Sequence, residues 1–141
     1  MRKLSRTSVV ILFCVLLLGC GDTPEKLYPV TGVVTVRGKP LNGGTVQFEM
    51  TDKGEASGEV FAAAGEIGED GSYELLTFGE PGAPAGEHRV WVTPNLARAP
   101  DKLGVSFEKL SPVPKKYMLP TTTDLSYTVE EDENEIDVVV P

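Results

Sequence analysis

Cysteine and histidine are scarce in this chain of 141 residues, which holds two Cys and one His. A zinc or similar transition-metal site draws on several Cys and His ligands, so a single histidine, His88, excludes a His-rich one. Cys14 lies inside an apolar N-terminal run that we expect to be removed, which leaves one thiol and no intrachain disulfide. Nucleophile elbows, phosphate-binding loops and dinucleotide fingerprints are also missing, so the sequence does not predict an enzyme.

Cationic side chains are outnumbered, because 13 Lys and Arg face 21 Asp and Glu, for a net charge of −8. Removal of residues 1–19 takes away Arg2, Lys3 and Arg6, which leaves ten cations against 21 acidic residues and a net charge of −11. Nucleic-acid binding requires clustered Lys and Arg, so this balance predicts no nucleic-acid partner.

Long hydrophobic runs are limited to one, the ten residues Val9–Leu18. A membrane-spanning helix needs about 20 apolar residues, so this run is too short to be one. Three cations precede it, and a basic segment followed by a short apolar run is typical of a secretory signal peptide. We therefore predict that residues 1–19 are removed, and we exclude them from fold reasoning.

The apolar run ends in Leu17-Leu18-Gly19-Cys20. This resembles the lipobox of bacterial lipoproteins, in which a small residue precedes an obligatory cysteine. The resemblance implies cleavage between Gly19 and Cys20, a covalent diacylglycerol and N-acyl lipid on Cys20, and no other cofactor. It implies a cell-envelope protein anchored to the outer or cytoplasmic membrane and facing the periplasm or the exterior. The alternative is a plain signal peptide with an incidental cysteine.

From Val30 onward, apolar and polar residues alternate with the period of two that is typical of half-buried strands. No segment shows a sustained helical stripe. About seven short strands separated by turn signals predict an all-β fold, an antiparallel β-sandwich of Greek-key type. The predicted strands cover residues 30–36, 45–50, 60–67, 73–78, 87–93, 125–130 and 136–140.

The residues between these strands predict the kind of connection that each forms. Asp70-Gly71 predicts a tight primed hairpin turn, because glycine accepts the positive φ that such a turn requires. Residues 131–134 predict a second hairpin that closes the chain. Residues 79–86, rich in Gly and Pro, predict a connection without helix or strand.

Three ranges follow from this pattern. Residues 20–29 form a lipidated cysteine and a short polar tether, and residues 30–141 form one domain. Within that domain, residues 94–120 form a long proline-rich loop with at most a short strand near Val105–Phe107. A loop of this length is uncommon in a compact domain, which makes it a candidate functional insertion.

Four segments together resemble the carboxypeptidase-regulatory-like, transthyretin-like domain: residues 28–41, 44–49, 69–75 and 85–92. The shared features are a Val-x-Gly-x-Val strand with a following Gly-x-Pro-Leu turn, an Asp-Gly-x-Tyr-x-Leu turn, and a Gly-x-x-x-Val-x-Val strand. The resemblance implies the sandwich fold and no particular chemistry. The chain departs from the pattern at His88, where an aromatic residue is usual, and across residues 94–111. The ending from residue 113 is similar to small envelope lipoproteins of unknown role.

A few side chains are candidates for a site. His88 shares a predicted face with two valines, which indicates a core histidine, with a general base or ligand contact as the alternative. Trp91 faces the other way and is either covered by the 94–120 loop or a ligand contact. Glu131, Asp132 and Glu133 are weak calcium candidates within an acidic turn that is otherwise simply solvated.

These observations predict a non-enzymatic, lipid-anchored envelope protein that acts as a structural or interaction module. The first alternative is a glycan- or peptide-binding domain that uses Trp91 and the 94–120 loop. The second is a calcium-stabilised adhesion-type domain. The membrane, reached through the lipid, is one predicted partner, and an envelope protein or polysaccharide is another. The oligomeric state is left open, because terminal strands can offer a sheet edge for pairing.

Replacing Cys20 by Ser is expected to abolish lipid attachment, because only a thiol accepts the acyl group in this motif. Partition of the expressed protein into a detergent phase, together with its intact mass, measures the loss. The matched control is Cys14→Ser, which alters the segment to be removed and leaves the mature product unchanged. An unmodified sulfur at position 20 in the parent protein would contradict the assignment.

Overall fold

The computed structural model describes residues 26–51, 62–95 and 111–141. These residues form short β-strands and one 3-10 helix, Lys115–Met118, with no α-helix among them, and this confirms the all-β class. The strands are β1 (Leu27–Tyr28), β2 (Val30–Val36), β3 (Lys39–Pro40), β4 (Gly44–Met50), β5 (Ala62–Ile67), β6 (Ser72–Glu74), β7 (Leu76–Thr77), β8 (Glu80–Pro81), β9 (Ala83–Pro84), β10 (Gly86–Pro94), β11 (Leu125–Val129), β12 (Asn134–Glu135) and β13 (Val138–Val140).

The larger sheet has six strands in the order β11-β10-β4-β5-β7-β8. Every neighbouring pair in it is antiparallel, and the longest ladder joins β10 to β4, from His88 opposite Met50 to Pro94 opposite Gly44. Along β4 and β10 one residue in two is buried, so each strand turns one face to the core. The predicted strands at 45–50 and 87–93 are confirmed.

The second sheet has five strands and is built around β2. Two short strands, β3 and β6, pair antiparallel with one edge of β2. On its other edge, β12 and β13 run parallel to it. A separate two-stranded ladder joins β1 to β9. The second sheet is therefore mixed, where the sequence predicted only antiparallel pairing.

The strand directions define two ends of the domain. We call the end where β2 begins, at Val30, the proximal end, since the described chain enters there from Lys26. The distal end is where β2 ends and the Arg37-Gly38 turn follows. Strand β4 runs from the distal to the proximal end, β5 returns, and β7 runs toward the proximal end again, as their antiparallel registers require.

Both sheets contribute side chains to one apolar core. Phe48 is fully buried, and its ring centre lies 6.0–6.3 Å from those of Tyr73, His88 and Tyr127. Such spacing is typical of aromatic side chains in contact. The fully buried Val and Leu residues are Val30, Val34, Val46, Leu75, Val90, Val92, Val113, Val129, Val138 and Val140.

The prediction that the chain closes with a hairpin is wrong. Strand β11 pairs with β10 in the six-stranded sheet, whereas β12 and β13 pair with β2 in the other. Between β12 and β13, the Val33 amide donates to the Asp137 carboxylate at 3.0 Å, so a side chain replaces a backbone acceptor of the ladder. Alternating patterns show which residues face the core but not which strand lies beside them.

The tight turn predicted at Asp70-Gly71 is present, since the Gly71 amide donates to the Gly68 carbonyl at 3.2 Å, but its predicted primed geometry is wrong. Only Gly71 has positive φ there, and the Asp70 carboxylate accepts hydrogen bonds from the Ser72 amide at 3.0 Å and the Ser72 hydroxyl at 2.6 Å. These bonds lower the pKa of Asp70. The two-residue turns with positive φ at both positions are instead Arg37-Gly38 and Phe78-Gly79. Arginine and phenylalanine are not the Asn or Asp that signals such a turn in a sequence.

The predicted return strand at 73–78 is split at Leu75. Its first part, β6, pairs with β2, and its second part, β7, pairs with β5 in the other sheet. Residues 79–86 contain the two-residue strands β8 and β9, contrary to the expectation of no strand there. Leu27 and Tyr28, expected in the tether, pair with β9. The expected strand near Val105–Phe107 lies outside the described residues.

Tyr73 lies where the two sheets meet. A Cβ placed on Gly32 or on Gly65 would come within 3.2 Å of its ring, so two glycines make room for it on opposite sides. Its hydroxyl donates to the Ile136 carbonyl at 2.6 Å. Burial raises the pKa of Tyr73, so the phenol stays protonated and keeps donating.

Replacing Gly32 by Ala is expected to cost about 3 kcal/mol of the free energy of unfolding, because the new Cβ would lie 1.9 Å from the Ile136 carbonyl oxygen. Urea unfolding of the mature chain, made with Cys20→Ser to prevent lipid attachment, measures this loss of unfolding free energy. The control is Gly38→Ala, where nothing lies within 4 Å and only the φ of +78 is unfavourable, at about 1 kcal/mol. Equal losses in the two variants would mean that the junction at Tyr73 is not tightly packed.

Candidate functional site

The predicted lipid attachment site, Cys20, and the cleavage position after Gly19 lie outside the described residues. The described chain begins at Lys26, whose ammonium group lies 4.7 Å from the centre of the Tyr28 ring. Tyr28 is buried, so the chain is held to the domain within two residues of that point. None of the helices among residues 26–51, 62–95 and 111–141 has the length and apolar character to cross a bilayer.

His88 is buried in the core between the sheets, with 0 % of its surface exposed. Its Nδ1 donates to the Gly86 carbonyl at 3.0 Å, which sets the position of the proton on the ring. Its ring packs on Phe48, with the ring centres 6.0 Å apart. A ligand arriving from solvent meets the outward face of β10, whereas His88 lies on its inward face.

The acidic turn of residues 130–133 is organised by a residue that the sequence analysis did not single out, Asn134. Its side-chain oxygen accepts from the Glu130 amide at 2.8 Å, and its amide group donates to the Asp132 carbonyl at 2.6 Å. The Asn134 backbone amide also donates to Pro29, which ties the turn to the start of β2. The sequence does contain a signal for this role, because an asparagine beside a turn often hydrogen-bonds to the neighbouring backbone groups.

The calcium candidates of this turn are arranged differently from a binding loop. Glu131, Asp132 and Glu133 are exposed at the proximal end, and the Asp132 carboxylate accepts a hydrogen bond from the Glu133 amide at 2.8 Å. In the part of the chain that the structure describes, no three His, Cys, Asp or Glu side chains converge as metal ligands would.

A row of side chains crosses the outward face of the six-stranded sheet. The registers place Trp91 opposite Gln47, Gln47 opposite Ala64, and Ala64 opposite Leu76. Each lies between two residues that are more buried, so the row faces away from the core. Trp91 is half-buried and Leu76 is 43 % exposed. The structure thus places Trp91 in an outward row that spans four strands.

A concave surface of about 600 Å³ lies on the distal side of this row. Gly44 and Gly65 contribute backbone to its lining. Hydroxyls of Thr45 and Thr93 and the carboxylate of Glu66 line it, and these three residues form the cross-strand row next to that of Trp91. The groove itself holds hydroxyls and a carboxylate, and Trp91 lies in the neighbouring row on the same face of the sheet.

A second cavity, of about 670 Å³, lies at the distal end. Val113, Met118 and Leu119 supply apolar walls, and Arg37 and Lys115 lie at its edge. Its walls come partly from residues 111–119 of the predicted proline-rich loop, while residues 96–110 lie outside the described chain. Next to it, Lys116 and Asp124 form an exposed ion pair that raises the pKa of the lysine and lowers that of the aspartate.

The sequence analysis found Trp91 and the direction it faces, but not the groove beside it. The groove depends on Thr45 and Glu66, which lie 48 and 27 positions before Thr93 in the chain. Alternation places each of them on an outward face, but the register that aligns them is not readable from any one strand. Comparison with known proteins finds no matching family model, no matching curated protein and no matching solved structure.

Proposed function

We propose that this protein is a lipid-anchored component of the bacterial cell envelope that acts as a non-enzymatic interaction module. The lipobox-like Leu17-Leu18-Gly19-Cys20 after a short apolar run supports the anchor. Lipid chains on one cysteine suffice for stable attachment, since two or more chains hold a protein firmly to a bilayer. The acidic mature chain, with its net charge of −11, stays soluble beside that membrane.

We also propose that the two sheets form a transthyretin-like sandwich. Its support is the single apolar core shared by both sheets, with Phe48 from one and Val34 from the other fully buried in it. The sequence motifs of that domain fall on structural features that suit them. The Val-x-Gly-x-Val pattern is β2, and the Val-x-Val pattern lies in β10.

One observation carries the interaction role: the outward row from Trp91 to Leu76 crosses four strands and exposes apolar area with no role in the core. Aromatic side chains on a rigid surface are the residues that most often dominate a protein interface. A sheet holds such a row at fixed spacing, so a partner that binds it does not have to order it first. The row is therefore the proposed contact surface for an envelope partner.

Photo-cross-linking from position 64 in intact cells is expected to capture a partner, because Ala64 is exposed in the middle of the row. Adding Trp91→Ala should lower the yield about tenfold, the effect of a typical interface hot spot. The matched control places the cross-linker at Thr31, an exposed strand position of the other sheet. Equal capture from both positions, undiminished by Trp91→Ala, would remove the row as the contact surface.

The groove beside Trp91 favours a second function, binding of an envelope glycan. Sugars present apolar faces that stack on aromatic rings and hydroxyls that need donors and acceptors. Trp91 offers the ring, and Thr45, Thr93 and Glu66 offer hydroxyl and carboxylate oxygens on the same face. The volume of about 600 Å³ falls within the usual range for small-ligand sites.

Titration with envelope polysaccharide is expected to shift the fluorescence of Trp91, which is the only tryptophan in the chain. Glu66→Gln should weaken the binding that this shift reports by about tenfold, since it removes a charged acceptor for sugar hydroxyls. Glu135→Gln, which changes an exposed carboxylate on β12 of the other sheet, serves as the control and should leave the titration unchanged. If the polysaccharide leaves the Trp91 fluorescence unchanged while cross-linking from position 64 still captures a partner, a protein partner is favoured over a glycan.

A further inference from the structure

Phe78 is the most exposed large hydrophobic residue among the described positions, with 85 % of its surface accessible. It occupies the first position of the two-residue turn between β7 and β8, with φ of +52, and Gly79 follows with φ of +88. A bulky side chain is disfavoured in this left-handed conformation, and Asn or Gly would fit it better. Phenylalanine at this position thus neither favours the turn conformation nor packs in the core.

We propose that Phe78 inserts into the interface of the bilayer that holds the lipid anchor, and so orients the domain with its proximal end toward the membrane. This inference rests on the lipid attachment proposed for Cys20. Phenylalanine is among the side chains that enter the boundary between headgroups and acyl chains. A single aromatic side chain does not anchor a protein alone, but it selects one orientation of a domain that is already anchored.

Hydrogen bonds hold the residues on either side of the Phe78 turn, Leu75, Thr77 and Gly82, which we call the base of the turn. The Gly82 amide donates to the Leu75 carbonyl at 2.7 Å, and the buried Thr77 hydroxyl donates to the Gly82 carbonyl at 2.7 Å. Leu75 is fully buried and holds this base in the core. The neighbouring Leu76, on β7, adds further exposed apolar surface.

The covalent chain brings this turn within reach of the membrane. Six residue spacings separate Cys20 from Lys26, and they extend to at most about 20 Å whatever their conformation. The chain then enters β1, and a Cβ on Gly82 would lie 2.4 Å from the Tyr28 carbonyl oxygen, so the turn's base touches β1. Phe78 is four residues from Gly82, at most about 14 Å away. The anchor can therefore reach the end of the domain at which the Phe78 turn lies.

The direction of the strands adds to this placement. Strand β7 runs toward the proximal end, where the chain enters, so its turn faces the same way. The Arg37-Gly38 turn at the distal end has nearly the same backbone, with φ of +51 and +78, but carries a cation. The two turns share one geometry, and the apolar side chain is on the turn nearer the anchor.

Acidic residues limit which lipid suits this contact. Glu80 follows the turn, and the acidic turn of residues 130–133 lies at the same end. Anionic headgroups repel carboxylates, so the expected occupant is a bilayer surface of zwitterionic lipid.

The test uses the full lipidated protein in phosphatidylcholine vesicles whose acyl chains carry bromine, a contact quencher of indole fluorescence. Trp91→Phe removes the native indole, and Phe78→Trp introduces one at the turn. The expected result is at least a twofold loss of fluorescence relative to unbrominated vesicles. The matched control, Arg37→Trp with Trp91→Phe, puts the indole in the equivalent turn at the distal end and should lose less than a tenth.

Vesicle flotation separates the two proposals. Protein that floats without quenching at position 78, or with equal quenching at both positions, overturns the role of Phe78 and leaves the anchor intact. Protein that does not float overturns the anchor and this inference with it. If envelope protein extract shifts the fluorescence of the indole at position 78 and brominated lipid does not quench it, the membrane role of Phe78 is overturned in favour of a protein partner.

A second measurement avoids the substitution of Trp91. Deuterium exchange of the β7–β8 turn in the otherwise native lipoprotein is expected to slow at least threefold on vesicles compared with detergent. Phe78→Asn, which suits the turn, should abolish that slowing while the protein still floats. Exchange that is unaffected by vesicles in the parent protein would contradict the insertion.

Discussion

The contact between two sheets around Phe48 and Tyr73 is the constraint on which the rest of the molecule depends. Phe48 projects into the core from the six-stranded sheet. Tyr73, on the short strand β6 that pairs with β2 in the other sheet, packs against its ring. Two glycines, Gly32 and Gly65, leave the room that the tyrosine ring occupies. A close-packed interior of this kind admits few alternatives, since a single added methyl group must displace backbone.

This packing decides what the surfaces can offer. Inward positions of the strands are occupied by the core, including His88, so chemistry available to a partner comes from outward positions and turns. On the larger sheet those positions align into the row that contains Trp91 and the groove next to it. At the sheet edge they end in the Phe78 turn, which extends from a base that the core holds rigid. The proposed contact face and the proposed membrane-facing turn are thus both outward features of one scaffold.

Much of the local structure could be predicted because its cause is local. Alternation in 45–50 and 87–93 identified two strands and the face each turns inward, since that pattern is set by the period of an extended chain. What could not be predicted depends on partners far away in the chain. The strand at 73–78 reads as continuous, yet it divides at Leu75 because its halves pair with different sheets. The turn that starts at Arg37 was predicted from Gly38 and Pro40, and the structure confirms it, whereas Phe78 gave no turn signal because its side chain does not suit the backbone it adopts.

The amino-acid sequence alone determined the period of the strands, the acidity of the chain, the direction that Trp91 faces and the lipobox-like motif at Cys20. These are properties of neighbouring residues, so reading along the chain reveals them. The tertiary structure decided that the last strands run parallel to β2, that Asn134 organises the acidic turn, and that Thr45, Thr93 and Glu66 meet beside Trp91. These depend on the register between distant strands, which only the packing of the whole core selects.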